Sequence, residues 1–256
     1  VALRVLEHFV AEPRACSYLD GREATLEYRL MMGVEPDELD RLLERGWRRF
    51  GLAYFRPACA ACAECVPLRI PVEGFELSRN LRRIRKRGQA LELRVAVPSV
   101  DDERIELYQR WHGERADRRG WDDDGMTAER YFHEFAFPHP SARELSWYDL
   151  TAGPPRLVAV SLVDETPSAL SAVYTYSDPS YERWSLGTLS ILSQLELAAR
   201  AGKRWVYLGY RVLGCASSQY KARFVPHEVL GGWPAPGERP SWRRVEASPL
   251  AGAEDA

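Results

Sequence analysis

The stretch that decides the fold runs L-V-A-V-S-L-V (157–163), A-L-S-A-V-Y-T-Y (169–176), S-L-G-T-L-S-I-L-S-Q-L-E-L-A-A-R (185–200) and W-V-Y-L-G-Y (205–210). The first two runs are apolar, β-branched and aromatic, and a turn at Glu165–Ser168 joins them, so they read as successive strands. After Asp178 and Pro179 the period changes: Ile191, Leu192, Leu195 and Ala199 form one helical stripe closed by Gly202. Trp205–Tyr210 returns to strand. Strands interrupted by a helix give a mixed α/β (α+β) class.

Glu144–Leu150 reads as a further strand, preceded over 120–142 by a loop and a short helix carrying Tyr131, Phe132 and Phe135. The first hundred residues mix short elements. Thr25–Met31 is a strand, Pro36–Arg49 a helix with Leu39, Leu42, Leu43 and Trp47 at helical spacing, and Gly51 restarts extended chain. Val66–Val72 and Leu91–Val97 are extended, Ser78–Arg87 is a helix, and another helix starts at the acidic Asp101–Glu103. This predicts a smaller N-terminal α/β lobe over 1–100, a second domain over 101–233, and a flexible tail over 234–256, rich in Pro, Gly and charge.

With 256 residues, 45% of them apolar and 28% charged, the chain can bury a core, and collagen-like, miniprotein and disordered classes are excluded. Thirty-five Lys and Arg face 37 Asp and Glu, so the net charge is -2. A nucleic-acid partner would therefore need a local basic patch. No apolar run reaches the roughly 18 residues of a membrane helix, and residues 1–20 lack the layout of a signal peptide, which predicts a cytoplasmic protein away from membranes. Five cysteines, three of them within seven residues, point to thiol or metal chemistry in a reducing compartment.

Cys59, Cys62 and Cys65 have C-x2-C-x2-C spacing, with Cys16 as a distant fourth ligand. Two-residue gaps let thiolates turn towards one centre, as in zinc sites and iron–sulfur loops. The competing reading is a buried turn padded by Ala58, Ala60, Ala61 and Ala63, and Cys215 could replace Cys16 or be a core cysteine. Residues 78–87 hold six bases and no acid, with Arg79, Arg82, Arg83 and Lys86 on one helical face and Leu77, Leu81 and Ile84 on the other. That face either neutralises RNA phosphates or is a solvated surface balanced by Glu73, Glu76 and Glu92. The bases of 45–49 read as ordinary helix packing around Trp47 and Phe50. Ser185, Leu186 and Gly187 lie between strand and helix, where free N–H groups suit an anion or simply cap the helix. Tyr207, Tyr210, Tyr220, Lys221 and Arg223 gather after the last strand, and Asp178 follows an earlier one; such residues converge on ligands at strand ends or pack in the core. There is no Walker loop, H-E-x-x-H or Ser-His-Asp arrangement.

Several motifs together resemble the bacterial branch of the arginyl-tRNA protein transferase family: C-S-Y-L (16–19), R-G-W-R-R-F-G (45–51), F-R-P-x-C-x-x-C-x-x-C-V-P-L-R (55–69), S-L-G-T-L-S-I-L (185–192), Y-L-G-Y (207–210), G-C (214–215) and Y-K-A-R-F (220–224). The resemblance covers about residues 10–230. It implies a GNAT-like second half, a cysteine-bound iron–sulfur cluster, and transfer of leucine from leucyl-tRNA to proteins beginning with Asp or Glu, which marks them for degradation. Under it, Arg79, Arg82, Arg83 and Lys86 would meet tRNA. Ser185–Gly187 would hold the donor end, Asp178 would bind substrate, Tyr210 or Tyr220 would move a proton or donate to the oxyanion, and Lys221 or Arg223 would pair with the acceptor's carboxylate. The transfer itself needs no cofactor, because an aminoacyl ester is already activated. Two departures bear on substrate choice: Asp20 follows Leu19 where the family commonly has Pro, and Arg211, Leu213, Ser217 and Ser218 replace an aromatic, lysine-rich stretch. Arginine as the donated residue, an acyl-CoA-dependent acetyltransferase and a metal-stabilised RNA-binding module are the alternatives.

Overall fold

The computed structural model describes residues 2–119, 125–151 and 153–246. In chain order its strands are β1 (Arg4–Val10), β2 (Arg14–Ala15), β3 (Glu23–Ala24), β4 (Leu26–Met32), β5 (Arg48–Phe50), β6 (Ala53–Pro57) and β7 (Cys65–Pro71). They continue with β8 (Leu91–Ala96), β9 (Ala142–Asp149), β10 (Arg156–Glu165), β11 (Ala169–Ser177), β12 (Trp205–Val212), β13 (His227–Leu230) and β14 (Trp242–Val245). The α-helices are α1 (Pro36–Glu44), α2 (Arg79–Gly88), α3 (Asp102–Arg119), α4 (Ala128–Tyr131), α5 (Leu186–Arg200) and α6 (Ala216–Gln219). The expected mixed α/β class and the strand and helix order of 144–210 are present. Among the described residues, no helix is long and apolar enough to cross a membrane.

The described residues fall into two compact units, one from Val1–Glu76, Thr166–Ser171 and Ala198–Ala256, the other from Leu77–Glu165 and Ala172–Leu197. The divisions thus lie at 76/77, 165/166, 171/172 and 197/198, whereas the sequence placed them at 100/101 and 233/234.

In the first unit β1, β4, β6 and β5 form an antiparallel sheet in that order. Its core joins Met31, Val34, Leu39, Leu42, Leu43, Trp47 and Tyr54 with Ala169 and Tyr207. Pro36 opens α1, with Asp37 and Glu38 in the first turn against the helix dipole. The helix expected over 36–49 stops at Glu44. Gly46 is left-handed (φ +83°) and a Cβ there would lie 2.6 Å from the Trp233 ring, so the chain turns and Arg48–Phe50 becomes β5. Leu39, Leu42 and Leu43 keep their helical register while Trp47 reaches the same core from the turn.

In the same unit the strand order β14-β13-β7-β12 is antiparallel, and Ala169–Ser171 of β11 pair parallel with Trp205–Tyr207 of β12. The tail expected from residue 234 is anchored as far as it is described. β14 pairs with β13, Trp242 donates its indole N–H to the Glu44 carbonyl at 3.0 Å, and Arg45 donates to the Glu238 and Ala235 carbonyls. Residues 247–256 lie outside the described residues. Composition hid this anchor, because it rests on individual contacts of β14, Trp242 and Arg45 and not on a period.

The second unit holds the rest of β11, then β10, β9 and β8 in antiparallel order. Its buried Glu144 accepts from Arg104 of α3 through Nε (2.9 and 3.0 Å to the two carboxylate oxygens) and Nη2, and from the Ser146 hydroxyl. Gly88 at the end of α2 packs on Leu189 of α5, where a Cβ would come within 2.3 Å of the leucine.

Arg69 locks β7 into the first unit. Its guanidinium lies 3.7 Å from the Trp205 ring and 4.2 Å from the Trp242 ring, and pairs with Glu228 at 2.7 Å. Breaking a buried charge pair costs about 3–5 kcal/mol, and the stacked rings add to that. Arg69→Ala should lower the free energy of unfolding in urea by about 3 kcal/mol or more; a midpoint unchanged from the parent would show that the arginine is not structural.

Candidate functional site

The cysteine loop spans the end of β6 and the start of β7. The Thr25 N–H donates to Cys59 Sγ at 3.3 Å, and the Ala58 N–H donates to the Thr25 carbonyl at 2.8 Å, which ties the loop to the chain before β4. Cys16 sits in the β2–β3 hairpin with its N–H on the Arg22 carbonyl at 2.9 Å. All five cysteines are free thiols. Burial pushes the Cys65 thiol up to about 12, and the neighbouring Cys59, Cys16 and Cys62 add to the rise. Cys59, Cys16 and Cys62 thus lie within electrostatic reach of Cys65, and thiolates so gathered suit a soft cation. As placed, however, no three His, Cys, Asp or Glu side chains among the described residues could hold one metal ion. The donor chemistry suits a metal while the side chains, as placed, do not close around one ion. Cys215 is buried at the start of α6, in hydrogen-bond contact with the Ser217 hydroxyl at 3.2 Å.

On the opposite side of this ladder, β12 carries one extra residue. Tyr207 pairs with Arg69 and Tyr210 with Pro67, so two residues of β12 stand against one of β7. Such a bulge bends a strand and re-aims its side chains. Gly209 takes the left-handed conformation (φ +71°), and the Arg48 guanidinium lies 3.4 Å from where its Cβ would be. Arg48 is 9% exposed and donates to the Ser171 hydroxyl at 2.8 Å. Lys221, half-buried on the turn after α6, donates to the Tyr210 carbonyl at 2.7 Å. Burial, and secondly the Arg48 charge, push its amine down to about 7.

The structure thus brings together Tyr210, Lys221 and a residue the sequence reading passed over, Arg48. The arginines of 45–49 read there as helix packing; instead Arg48 and Arg49 are buried in β5. The available signal was local: two adjacent cations between Trp47 and Phe50 occupy positions that an apolar strand would otherwise fill. The Tyr210 phenol is engaged by backbone carbonyls. It donates to the Gly46 carbonyl at 2.9 Å, and burial pushes its pKa above the ordinary tyrosine range. Tyr207 accepts from Arg69 at 3.2 Å. Tyr220 is half-buried and Arg223 exposed, on the same short turn as Lys221.

The remaining expected residues belong to the second unit. Asp178 is buried and caps the turn Pro179–Trp184, accepting from the Ser180 N–H at 2.9 Å, the Ser180 hydroxyl at 2.6 Å and Arg156 at 2.6 Å. Burial alone would raise its carboxyl pKa; the Ser180 and Arg156 bonds outweigh it and hold the group below its usual value. Ser185 is left-handed (φ +54°), the one non-glycine residue of that kind among those described, and α5 starts directly after it. Gly187 faces open space where a side chain would be.

Helix α2 is capped by Ser78, whose hydroxyl accepts the Leu81 N–H at 3.3 Å, and it buries Leu81 and Ile84. Arg79, Arg82, Arg83 and Lys86 are exposed, as expected of a cationic face. Arg83 reaches Asn80, Arg85 lies 3.6 Å from Glu196, and Arg87 donates to the Arg183 carbonyl. Glu92, offered by sequence as a balancing acid, pairs with Arg94 at 2.6 Å instead.

Two family profiles match the chain in order, "Arginine-tRNA-protein transferase, N terminus" over residues 14–83 and "Arginine-tRNA-protein transferase, C terminus" over residues 103–231. The chain is 35% identical to an aspartate/glutamate leucyltransferase of Helicobacter hepaticus, covering 94% of this chain and 98% of that one. It is 37% identical to an aspartate/glutamate leucyltransferase of Stutzerimonas stutzeri, covering 90% and 95%. Among solved structures it is similar to a tandem GNAT protein from the clavulanic acid biosynthesis pathway, with 13% identity, 82% of this chain and 57% of that one covered, and a TM-score of 0.38. With both halves of the profile matched in sequence order and curated relatives aligned over nearly its full length, the chain belongs to the arginine-tRNA-protein transferase family.

Proposed function

We propose that the protein transfers leucine from leucyl-tRNA to the α-amine of proteins that begin with Asp or Glu. The observation that carries this reading is end-to-end similarity to aspartate/glutamate leucyltransferases, 35% identity over 98% of the Helicobacter hepaticus enzyme's length. The acceptor's amine attacks the ester carbonyl, the new amide bond forms as the bond to the terminal ribose oxygen breaks, and the amine's proton ends on the released hydroxyl. An α-amine has an ordinary pKa of about 7.7–8.0 and is partly neutral near pH 7. Holding it against an activated ester supplies most of what the reaction needs. Tyr210 or Tyr220 is proposed to move a proton or donate to the oxyanion. The Ser185–Gly187 turn is proposed to hold the donor's terminal phosphate. A tRNA donor places the reaction in the cytoplasm.

The family description names arginine where the relatives name leucine, so arginine as the donated residue is the second reading. Purified protein incubated with radiolabelled leucyl-tRNA or arginyl-tRNA and peptides beginning with Asp, Glu or Arg distinguishes them. Label should move from leucyl-tRNA to the Asp and Glu peptides; movement from arginyl-tRNA alone would establish the second reading, and movement from neither would refute both.

Helix α2 is proposed as a tRNA contact through Arg79, Arg82, Arg83 and Lys86. Each phosphate neutralised contributes about 0.7–0.9 to the slope of log affinity against log salt. Replacing Arg79, Arg82 and Lys86 by Ala should flatten that slope for tRNA by about 2 and weaken binding about 10-fold or more at 0.15 M salt. An unchanged slope would return the helix to an ordinary solvated face.

Cys16, Cys59, Cys62 and Cys65 are proposed as the ligands of an iron–sulfur cluster or zinc that pins the loop before β7. Cys59→Ala should reduce bound iron or zinc, measured by elemental analysis of anaerobically purified protein. Equal metal content in both proteins would show that Cys59 is not a ligand.

A further inference from the structure

Arg183 and Trp184 close the turn Pro179–Trp184, directly before Ser185. Arg183 is exposed and forms no ion pair among the described residues. Trp184 is half-buried, and among those residues its one ring contact is Tyr181, with centroids 5.8 Å apart. Tyr181 is itself held: its phenol donates to Asp149 at 2.5 Å, and the Arg156 guanidinium lies 5.7 Å from its ring. The end of α2 lies against this turn. Arg87 donates to the Arg183 carbonyl, and at Gly88 a Cβ would come within 2.3 and 2.7 Å of the two methyl carbons of Leu189, which is 4% exposed and has little room to yield. Arg79, Arg82 and Lys86 also form no ion pair among the described residues, and Arg83 bonds the neutral Asn80. From Arg79 to Lys86 this row spans about 10 Å of helix. Against it the turn carries one acid, Glu182, and Glu196 of α5 pairs with Arg85 at 3.6 Å. A row of cations that ends beside an aromatic ring suits an unpaired strand of nucleic acid, since phosphates meet the cations and a base stacks on the ring. A duplex keeps its bases inside and would leave the indole unused.

We propose that Arg183 and Trp184 bind the last, unpaired nucleotide of the donor tRNA, the guanidinium on its phosphate and the indole on its base, while α2 meets phosphates farther from the ester. This rests on the reading of leucyl-tRNA as donor and assigns two residues to that donor's end. Arg183 thereby joins the Ser185–Gly187 turn at the terminal phosphate, and Trp184 positions the ester by holding the base beside it. Stacking on an indole accepts any base, so the contact selects an unpaired end and not a sequence.

The test is equilibrium binding of two RNAs, a leucine-accepting tRNA and the same tRNA without its last nucleotide, to the full chain and its Trp184→Ala, Trp184→Phe and Arg183→Ala forms. Thermal melting of each protein is recorded alongside. The parent should bind the shortened tRNA about 10-fold more weakly; Trp184→Ala should bind the intact tRNA about 10-fold more weakly than the parent does and the shortened one equally well. Trp184→Phe should keep most of the parent's preference for the intact end. Arg183→Ala should lower the slope of log affinity against log salt by about 0.7 with the intact tRNA and leave it unchanged with the shortened one. Because Arg183 is exposed, this arm decides the matter if Trp184→Ala melts too early to assay. A merely structural role would weaken both RNAs alike. Equal affinity of the parent for the two RNAs, equal losses with both in a folded variant, or an unchanged slope in Arg183→Ala would overturn the proposal while leaving leucyl transfer intact. A parent that binds neither RNA would overturn the tRNA-donor reading, and this proposal with it.

Discussion

The antiparallel ladder between β7 and β12, lengthened by one residue at Leu208–Gly209, is the constraint on which the rest of the first unit depends. At one end it sets Cys65 opposite Val212, so the cysteine loop and the turn after β12 begin side by side. At the other it sets Arg69 opposite Tyr207, where two tryptophans and Glu228 close over the arginine. Between them the bulge breaks the pairing where Arg48 and Lys221 arrive. A left-handed residue here (φ +71°) costs little only because it is glycine; another L-residue would add about 1 kcal/mol or more.

The chain's near-zero net charge conceals a separation by burial. Exposed cations line α2, where they can trade counterions with a polyanion. Buried cations serve other ends: Arg69 and Arg104 neutralise Glu228 and Glu144 and hold strands and helix in place, while Arg48 faces Ser171 and Lys221 at the bulge. A protein with this layout can attract a nucleic acid locally without a strong global field, and release it again.

The strands and helix of 144–210 were legible because each buries a regular face, so period and element coincide. The cationic helix was legible for the same reason, since Leu81 and Ile84 fall on the buried side. What escaped depends on contacts distant in sequence. The stop of α1 at Glu44 was masked because Trp47 continues the apolar spacing after the backbone has left the helix. The anchoring of 234–246 rests on Trp242 against Tyr207 and Glu44, partners that composition cannot reveal. The two adjacent cations between Trp47 and Phe50 marked Arg48 as unusual, while the residues it lies against, Ser171 and Gly209, are more than a hundred positions away in the chain. The motifs nevertheless carried the family, since their order along the chain survives wherever the individual side chains point.

The chain forms an amide at a protein's α-amine, using an ester carried by tRNA. The most direct measurement is tandem mass spectrometry of an Asp-initiated peptide that also contains an internal lysine, after incubation with the protein and leucyl-tRNA. One added leucine is expected, on the α-amine of the Asp. An unmodified peptide, or leucine on the lysine side chain, would contradict it.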